Sequence, residues 1–375
     1  MDFSFTEEQT LLRNMVQGFV RDNYDFDTRT KIVNSDTGMS KEIWQQFAEL
    51  GLLAAPFPED MGGLDGGAID IMVIMEEMGR GLVVEPYLPT IVLCGGILSR
   101  HGSPQQQSAH LPSMVAGEAI WALAYSEPQG RFNTADITTS AKEQGGSYVL
   151  NGQKCVVMGA PWADKLIVSA RVSGGQRDKD GVALFIVDKS ASGVSTQDYP
   201  TVDGGRASEI TLENVEVASD ALIGTANTGL SLLEEALDYG IGALCAEAVG
   251  HMKMLNDATV EYCKTRKQFG VPIGSFQVLQ HRMVDMFMDY EQSVSMTYMV
   301  NMKLDESADV RRKAASAAKV QIGKAGRFIG QESVQLHGGM GMTEELSVGH
   351  YFKRLTMIDT LFGNIDYHLK RFAQN

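Results

Sequence analysis

Cysteine is scarce in this chain of 375 residues: Cys94, Cys155, Cys245 and Cys263 lie far apart. None forms a CxxC or a metal-ligand spacing, so a disulfide scaffold and a zinc module are excluded and no metal site is expected. All four sit among apolar neighbours and read as reduced, partly buried thiols of a reducing compartment. No apolar run approaches the roughly 18–20 residues that a membrane span needs. The start, Met1-Asp2-Phe3-Ser4-Phe5-Thr6-Glu7-Glu8, has no basic segment and no apolar signal core, so a cytoplasmic location is expected. Positive charge is also short, with 32 Lys and Arg against 47 Asp and Glu and a net charge of −15. Nucleic acid and anionic membranes are bound through a clustered excess of Lys and Arg, so neither is an expected partner. A small anionic ligand needs only a few local cations and stays open. There is no strand followed by GxGxxG, which argues against a Rossmann dinucleotide site. Walker A, HExxH and GxSxG sequences are absent as well.

What is present is an ordinary globular balance, 44% hydrophobic and 21% charged, which excludes wholesale disorder. At roughly 100–200 residues per domain, the length fits two or three domains. The stretch to about residue 118 has helical texture. Thr6 and Gln9 form a capping-box pattern before Leu11, Leu12, Met15, Val16, Phe19 and Val20, which fall at helical spacing. Ser40 suits the cap of a second helix that stops at Gly51. Further helices are expected over about 69–78 and 89–101, with a shorter one ending near 116. From about 119 to 222 the texture changes to short strands between turns, over about 120–125, 148–150, 165–169, 182–187 and 209–212. Asn151-Gly152 predicts a type I′ hairpin turn, whose two central residues need positive φ. From about 228 helical texture returns, with long amphipathic stretches over 229–264, 277–304 and 309–336. Several of the 20 methionines lie on them and suit a packing surface or an adaptable apolar pocket.

Two motifs carry chemistry. Lys264-Thr265-Arg266-Lys267-Gln268-Phe269-Gly270 closes the first long helix and runs into Pro272-Ile273-Gly274-Ser275-Phe276-Gln277. Its cations suit a helix C-terminus, where the dipole favours positive charge. They equally suit a phosphate clamp, in which Arg266 offers a planar fork of donors and Phe269 a flat face for a ring. The second motif, Gln335-Leu336-His337-Gly338-Gly339-Met340-Gly341, ends another helix. Its glycines allow either a plain helix stop or close approach of the backbone to a ligand.

Together with the helix–strand–helix order, these motifs make the chain resemble the acyl-CoA dehydrogenase family over its whole length. Further matching pieces are Pro58-Glu59-Asp60-Met61-Gly62-Gly63, Ser126-Glu127-Pro128, Asn151-Gly152-Gln153-Lys154, Glu247-Ala248-Val249-Gly250 and Arg354. Within the family, residues 243–247 and 350–359 look most like the small subunit of pimeloyl-CoA dehydrogenase. The resemblance implies an α+β fold: an N-terminal helical domain (1–118), a middle β-barrel-like domain (119–227) and a C-terminal four-helix bundle (228–375). It implies FAD as cofactor. Arg266 and Phe269, with Gln268 and Gln277 nearby, would hold FAD from an adjacent subunit. Gln335, His337, Gly338 and Gly339 would meet its diphosphate and adenosine, and Ser126 would hydrogen-bond the flavin ring. The implied reaction takes a proton from Cα and a hydride from Cβ of an acyl-CoA, with an electron-transfer flavoprotein or similar acceptor downstream.

The reaction needs a carboxylate over Cα, and the family usually puts a Glu just before a Gly in the loop after the Arg354 helix. Here that loop reads Asp359-Thr360-Leu361-Phe362-Gly363-Asn364. Ungapped alignment puts Gly363 at the Glu position, and one gap puts Phe362 there. The alternative family position, on the long helix, is Gly240. Asp359 and Glu247 are the candidate substitutes, each also readable as a capping or ion-paired residue, and Asp366 lies further along. After the Gln-Lys pair the family often has Trp and Thr where this chain has Cys155-Val156-Val157-Met158. After Ser126-Glu127-Pro128 it has Gln129-Gly130-Arg131. The missing base points to one subunit of a hetero-oligomer whose second, similar chain carries the carboxylate. A homo-oligomer with a displaced base, a non-catalytic subunit completing a partner's flavin site and an oxygen-using relative are the competing expectations. The resemblance points to a dicarboxylyl-CoA or another unusual acyl-CoA as substrate.

Overall fold

The computed structural model describes residues 5–374. Helices α1 (Glu7–Asn23), α2 (Phe26–Val33), α3 (Lys41–Glu49), α4 (Ala68–Gly81), α5 (Gly96–His101) and α6 (Pro104–Val115) come first, with a π-helical segment, Leu88–Gly95, ahead of α5. Strands follow: β1 (Trp121–Ala124), β2 (Ser140–Gln144), β3 (Ser147–Met158), β4 (Lys165–Arg171), β5 (Val182–Asp188), β6 (Val194–Pro200), β7 (Arg206–Ala218) and β8 (Leu222–Ile223). The rest is α7 (Gly229–Thr265), a small hairpin β9 (Lys267–Gln268) and β10 (Val271–Pro272), then α8 (Gln277–Asn301), α9 (Ala308–His337), α10 (Ser347–Thr360) and α11 (Ile365–Gln374). The fold is α+β, with helices at both ends of the sequence and a sheet between them. Among the described residues no helix is long and apolar enough to cross a membrane.

Helix starts follow local chemistry. The Thr6 hydroxyl accepts from the Gln9 amide at 3.1 Å while the Gln9 side chain accepts from the Thr6 amide at 3.2 Å, a reciprocal capping box. The Ser40 hydroxyl accepts from the Ile43 amide. One expected turn is elsewhere. Asn151-Gly152 lies inside β3, and the turn between β2 and β3 is Gly145-Gly146, both at positive φ. Gly152 instead marks a register shift against β7, where a Cβ would come within 2.4 Å of the Thr139 hydroxyl. That glycine therefore serves close packing, and Asn151 uses its side chain to accept from the Asn214 amide.

The chain forms two compact units, each assembled from separate stretches of sequence. One contains residues 32–67 and 84–240. Its sheet runs β6-β7-β3-β2-β4-β5-β8, with β1 pairing parallel to β4. Leu150, Val157, Leu166, Val168, Phe185, Ile210 and Val215 form its buried core. The other contains residues 1–31, 68–83 and 241–375. There α8, α10 and α11 all pack on α9, and α1 pairs with α4 through Arg13, which bonds Glu76 and Glu77 at 2.9 and 3.0 Å. Helices α4 and α7 meet at glycines. A Cβ on Gly79 would lie 2.2 Å from the Glu247 carbonyl oxygen, and one on Gly250 would lie 2.1 Å from that of Glu76.

Candidate functional site

In the sheet unit, two of the matching motifs turn out to be one device. The Glu127 carboxylate is buried and accepts from Lys154 Nζ at 2.7 Å, the Thr138 amide at 2.7 Å and the Thr139 amide at 3.1 Å. Burial alone would raise its pKa, but the Lys154 charge and these donors outweigh that and hold it at about 2. Lys154 also donates to the Ser169 hydroxyl at 3.0 Å. Ser126, next to Glu127, is thereby tied to β3: its carbonyl accepts from the Cys155 amide at 2.9 Å, and its hydroxyl lies 3.6 Å from Cys155 Sγ. Burial pushes the Cys155 thiol up, so it is no ready thiolate. Immediately after it, the register of β3 against β7 slips between Lys154 and Val157. Val156 sits in that bulge at φ +50° and is 46% exposed. A β-branched residue at positive φ is an outlier, held here by the bulge, and it turns an apolar side chain to the surface beside Ser126. Arg131 is also exposed and at φ +50°.

In the helical unit, the C-terminus of α7 is fastened by the Arg266 amide, which donates to the Tyr262 carbonyl at 2.8 Å. Phe269 and Gly270 then form the tip of the β9–β10 hairpin, both at positive φ as a type I′ turn requires. The Phe269 ring is 92% exposed, an unusual place for a phenyl group without a covering partner. Arg266, Gln268 and Gln277 are exposed around it, and the Arg266 guanidinium makes no ion pair among the described residues. At the end of α9, Gln335 is exposed and Gly338 takes φ +60°. A Cβ on Gly338 or Gly339 would meet nothing within 4 Å, so this backbone faces open space. His337 lies further in than Gln335, Gly338 and Gly339. It is 4% exposed, and its Nδ1 lies 2.8 Å from the Ser333 carbonyl. These residues suit FAD by their chemistry: a free guanidinium for a diphosphate, a bare flat face for a ring and an open glycine backbone for close approach. Among the described residues no group of three or more His, Cys, Asp or Glu could hold a metal.

The candidate bases lie in less favourable surroundings. Glu247 is gripped by Arg354, with Nε–Oε1 at 2.6 Å and Nη2–Oε2 at 2.9 Å, and its Oε1 also faces His251 Nε2 at 3.2 Å. Burial is opposed by Arg354 and His251, and the carboxyl is held at about 2. A group so acidic, with both oxygens engaged, is a structural clamp and a poor general base. Arg282, on α8, bonds Glu332 and not Glu247. Asp359 is 7% exposed, pairs its Oδ2 with Arg327 Nη2 at 3.0 Å and turns its Oδ1 onto α9, where a Cβ on Gly323 would lie 2.4 Å away. Asp366 is exposed on α11, and Gly240 is buried within α7. The loop between α10 and α11 is tied down through three carbonyls. Lys319 Nζ donates to those of Asp359 and Gly363 at 3.0 and 2.7 Å, and His368 Nε2 donates to that of Phe362 at 3.0 Å. Burial lowers Lys319 to about 8 and His368 to about 3. Gly363 takes φ +112°, and a Cβ there would lie 2.3 Å from Tyr367 Cδ1 and 2.8 Å from His368 Nε2.

Sequence reasoning missed Lys319, although the signal was present. It is a lone cation following Ala314, Ala315, Ala317 and Ala318, on the helix face that buries Ala315 and Ile322. Arg354 was matched but not paired with Glu247, because their 107-residue separation carries no periodic signal.

The sequence profiles of the acyl-CoA dehydrogenase N-terminal, middle and C-terminal domains match residues 6–118, 122–215 and 227–375. A probable acyl-CoA dehydrogenase, YngJ of Bacillus subtilis, is 31% identical over 354 residues, which cover 93% of this chain and 92% of that protein. Among solved structures, the FAD complex of PigA superposes with a TM-score of 0.93 at 27% identity, covering 100% of this chain and 98% of that one. The ChsE4–ChsE5 complex from Mycobacterium tuberculosis gives 0.91 at 25% identity, covering 100% and 98%.

Proposed function

Because the chain belongs to the acyl-CoA dehydrogenase family, FAD-dependent oxidoreductases acting on CH–CH groups, we propose that it is one subunit of a two-chain enzyme that desaturates an acyl-CoA thioester, with the catalytic carboxylate on a second, similar chain. One observation carries this: among the described residues, the two candidate carboxylates, Glu247 and Asp359, are both held in ion pairs. Glu247 is clamped by Arg354, Asp359 is paired with Arg327, and the α10–α11 loop offers Phe362 and Gly363. The backbone of Gly363 demands glycine, which favours its match to the Gly of the family's Glu-Gly pair and puts Phe362 in the Glu position.

FAD, when bound, supplies the acceptor for the hydride from Cβ. The residues proposed to hold it are Arg266 for the diphosphate, Phe269 for a ring face, Gln268, Gln277 and Gln335 around them, and the Gly338–Gly339 backbone. Ser126, fixed by the Glu127–Lys154 pair, would hydrogen-bond the flavin. The exposed apolar side chains of α8, among them Val278, Val284, Phe287 and Met288, support an oligomer, since a lone chain would leave them in water. The likeness of residues 243–247 and 350–359 to the pimeloyl type supports a dicarboxylyl-CoA or another unusual acyl-CoA as substrate, and the family's reaction supports an electron-transfer flavoprotein or similar acceptor.

The test is anaerobic bleaching of the oxidised flavin band by a panel of acyl-CoAs. The chain alone should bleach slowly, and a Glu-bearing partner should raise the rate by roughly 10²–10⁴-fold, the usual contribution of a positioned general base. Rapid bleaching by the chain alone, abolished in Asp359→Asn, would overturn the proposal and identify the base within this chain.

A further inference from the structure

Tyr262 lies on the last turn of α7 and His337 on the last turn of α9. Their rings stack with centroids 4.4 Å apart and planes tilted by 31°. A carbonyl oxygen only accepts, so the 2.8 Å contact with Ser333 puts a proton on His337 Nδ1 and fixes the ring's orientation. Burial lowers the pKa of this imidazole and so favours its uncharged form.

Each ring is directly joined to an element of the proposed cofactor grip. The Tyr262 carbonyl receives the Arg266 amide at 2.8 Å, and the Arg266 carbonyl receives the Ile273 amide at 2.8 Å. On the other side His337 immediately precedes Gly338, and the turn that follows folds back on it. A Cβ on Gly341 would lie 2.7 Å from the Val334 carbonyl oxygen and 3.1 Å from His337 Cβ. A movement of either ring is therefore a movement of a helix end: one bears the guanidinium, the other the open glycine backbone.

We propose that the Tyr262–His337 stack is a positioning pair for the adenosine diphosphate half of FAD, setting the separation between Arg266 and the Gly338–Gly339 backbone so that one diphosphate meets both. This rests on the assignment of Arg266 and Gly338–Gly339 to the cofactor grip.

The test titrates FAD into the flavin-stripped protein, with any partner subunit present, and follows flavin fluorescence; melting of the flavin-free form is recorded alongside. Tyr262→Ala should weaken FAD by about tenfold, the upper end of what a ring stack supplies. Tyr262→Phe, which keeps the face, should bind as the parent does, and the flavin-free melting temperature should be unchanged in both. Unchanged FAD affinity in Tyr262→Ala would overturn the proposal. So would failure of Tyr262→Phe to rescue, or a fall in flavin-free melting as large as the loss of affinity. If the alanine protein does not fold, Tyr262→Leu fills the volume without a ring, and parental FAD affinity there overturns the proposal equally. Parental affinity in Arg266→Ala would instead refute the underlying assignment of the grip.

Discussion

Ungapped alignment would place the family's carboxylate at position 363, and the structure indicates that putting one there fails to make this chain self-sufficient. Gly363 is at φ +112°, where L residues are rarely found, so any side chain costs about 1–3 kcal/mol in backbone strain. The new Cβ would lie 2.3 Å from Tyr367 Cδ1, and relieving such an overlap in a packed interior costs roughly another 1–3 kcal/mol. His368, 2.8 Å from the same Cβ, cannot retreat without loosening its 3.0 Å bond to the Phe362 carbonyl. The sum is about 2–6 kcal/mol, already present in Gly363→Ala. At roughly 2–4 °C per kcal/mol for a unit of this size, Gly363→Ala should melt at least about 4 °C below the parent. Gly363→Glu should melt no higher and should not accelerate flavin bleaching by acyl-CoA, because its Cβ points into α11. Melting of the flavin-loaded proteins by circular dichroism, with stopped-flow bleaching, measures both. An alanine variant that melts with the parent would show that the loop yields at no cost. Rapid bleaching by the glutamate variant would refute the directional argument outright.

Glu247→Gln should destabilise the protein by about 3 kcal/mol in urea unfolding, since it replaces the charged half of the bidentate Arg354 contact by a neutral amide. Glu247 and Glu127 are both held at about 2 in the folded protein, below the unfolded value of roughly 4.3. Their contribution is complete above that unfolded value and is lost as pH falls toward 2, so unfolding midpoints should drop between pH 5 and pH 3; a flat profile over that window would contradict the assigned ion pairs. Arg266→Ala should weaken FAD by about tenfold or more while leaving the flavin-free melting unchanged, as expected for loss of a charge-assisted contact. Phe287→Asp on the exposed side of α8 should move the elution of the protein toward a smaller species in gel filtration, and no movement would show that this face is not an interface.

The long helices were legible because each signals itself locally. The spacing predicts 229–264, 277–304 and 309–336, and the structure has Gly229–Thr265, Gln277–Asn301 and Ala308–His337. Strands were legible in position but not in length. The expected 148–150 lies at the start of Ser147–Met158 and 209–212 lies inside Arg206–Ala218, and these strands continue through bulges that break the alternation. Gly145-Gly146 lost to Asn151-Gly152 as the expected turn because both dipeptides tolerate positive φ, and only the cross-strand pairing decides between them. In the candidate site, Arg266 and Phe269, which the structure leaves exposed, could be singled out from the motif. Residues defined by a distant partner could not. Glu247 with Arg354, Asp359 with Arg327, and Lys319 beneath its two carbonyls are all products of tertiary packing.

The glycine contact between α4 and α7 also constrains the protein while it is being made. Ile71, Met72, Val73, Ile74, Met75 and Met78 of α4 are buried in the finished fold. The stretch of α7 that receives this helix, around Gly250, is synthesised about 170 residues after Gly79. At about 5–20 residues per second, the ribosome holds α4 without that neighbour for roughly 10–30 s. During this interval α1 is the shield available from earlier sequence, held by Arg13 to Glu76 and Glu77. Loss of the Arg13 bonds should therefore lower the soluble yield by more than their small share of the finished protein's stability would suggest.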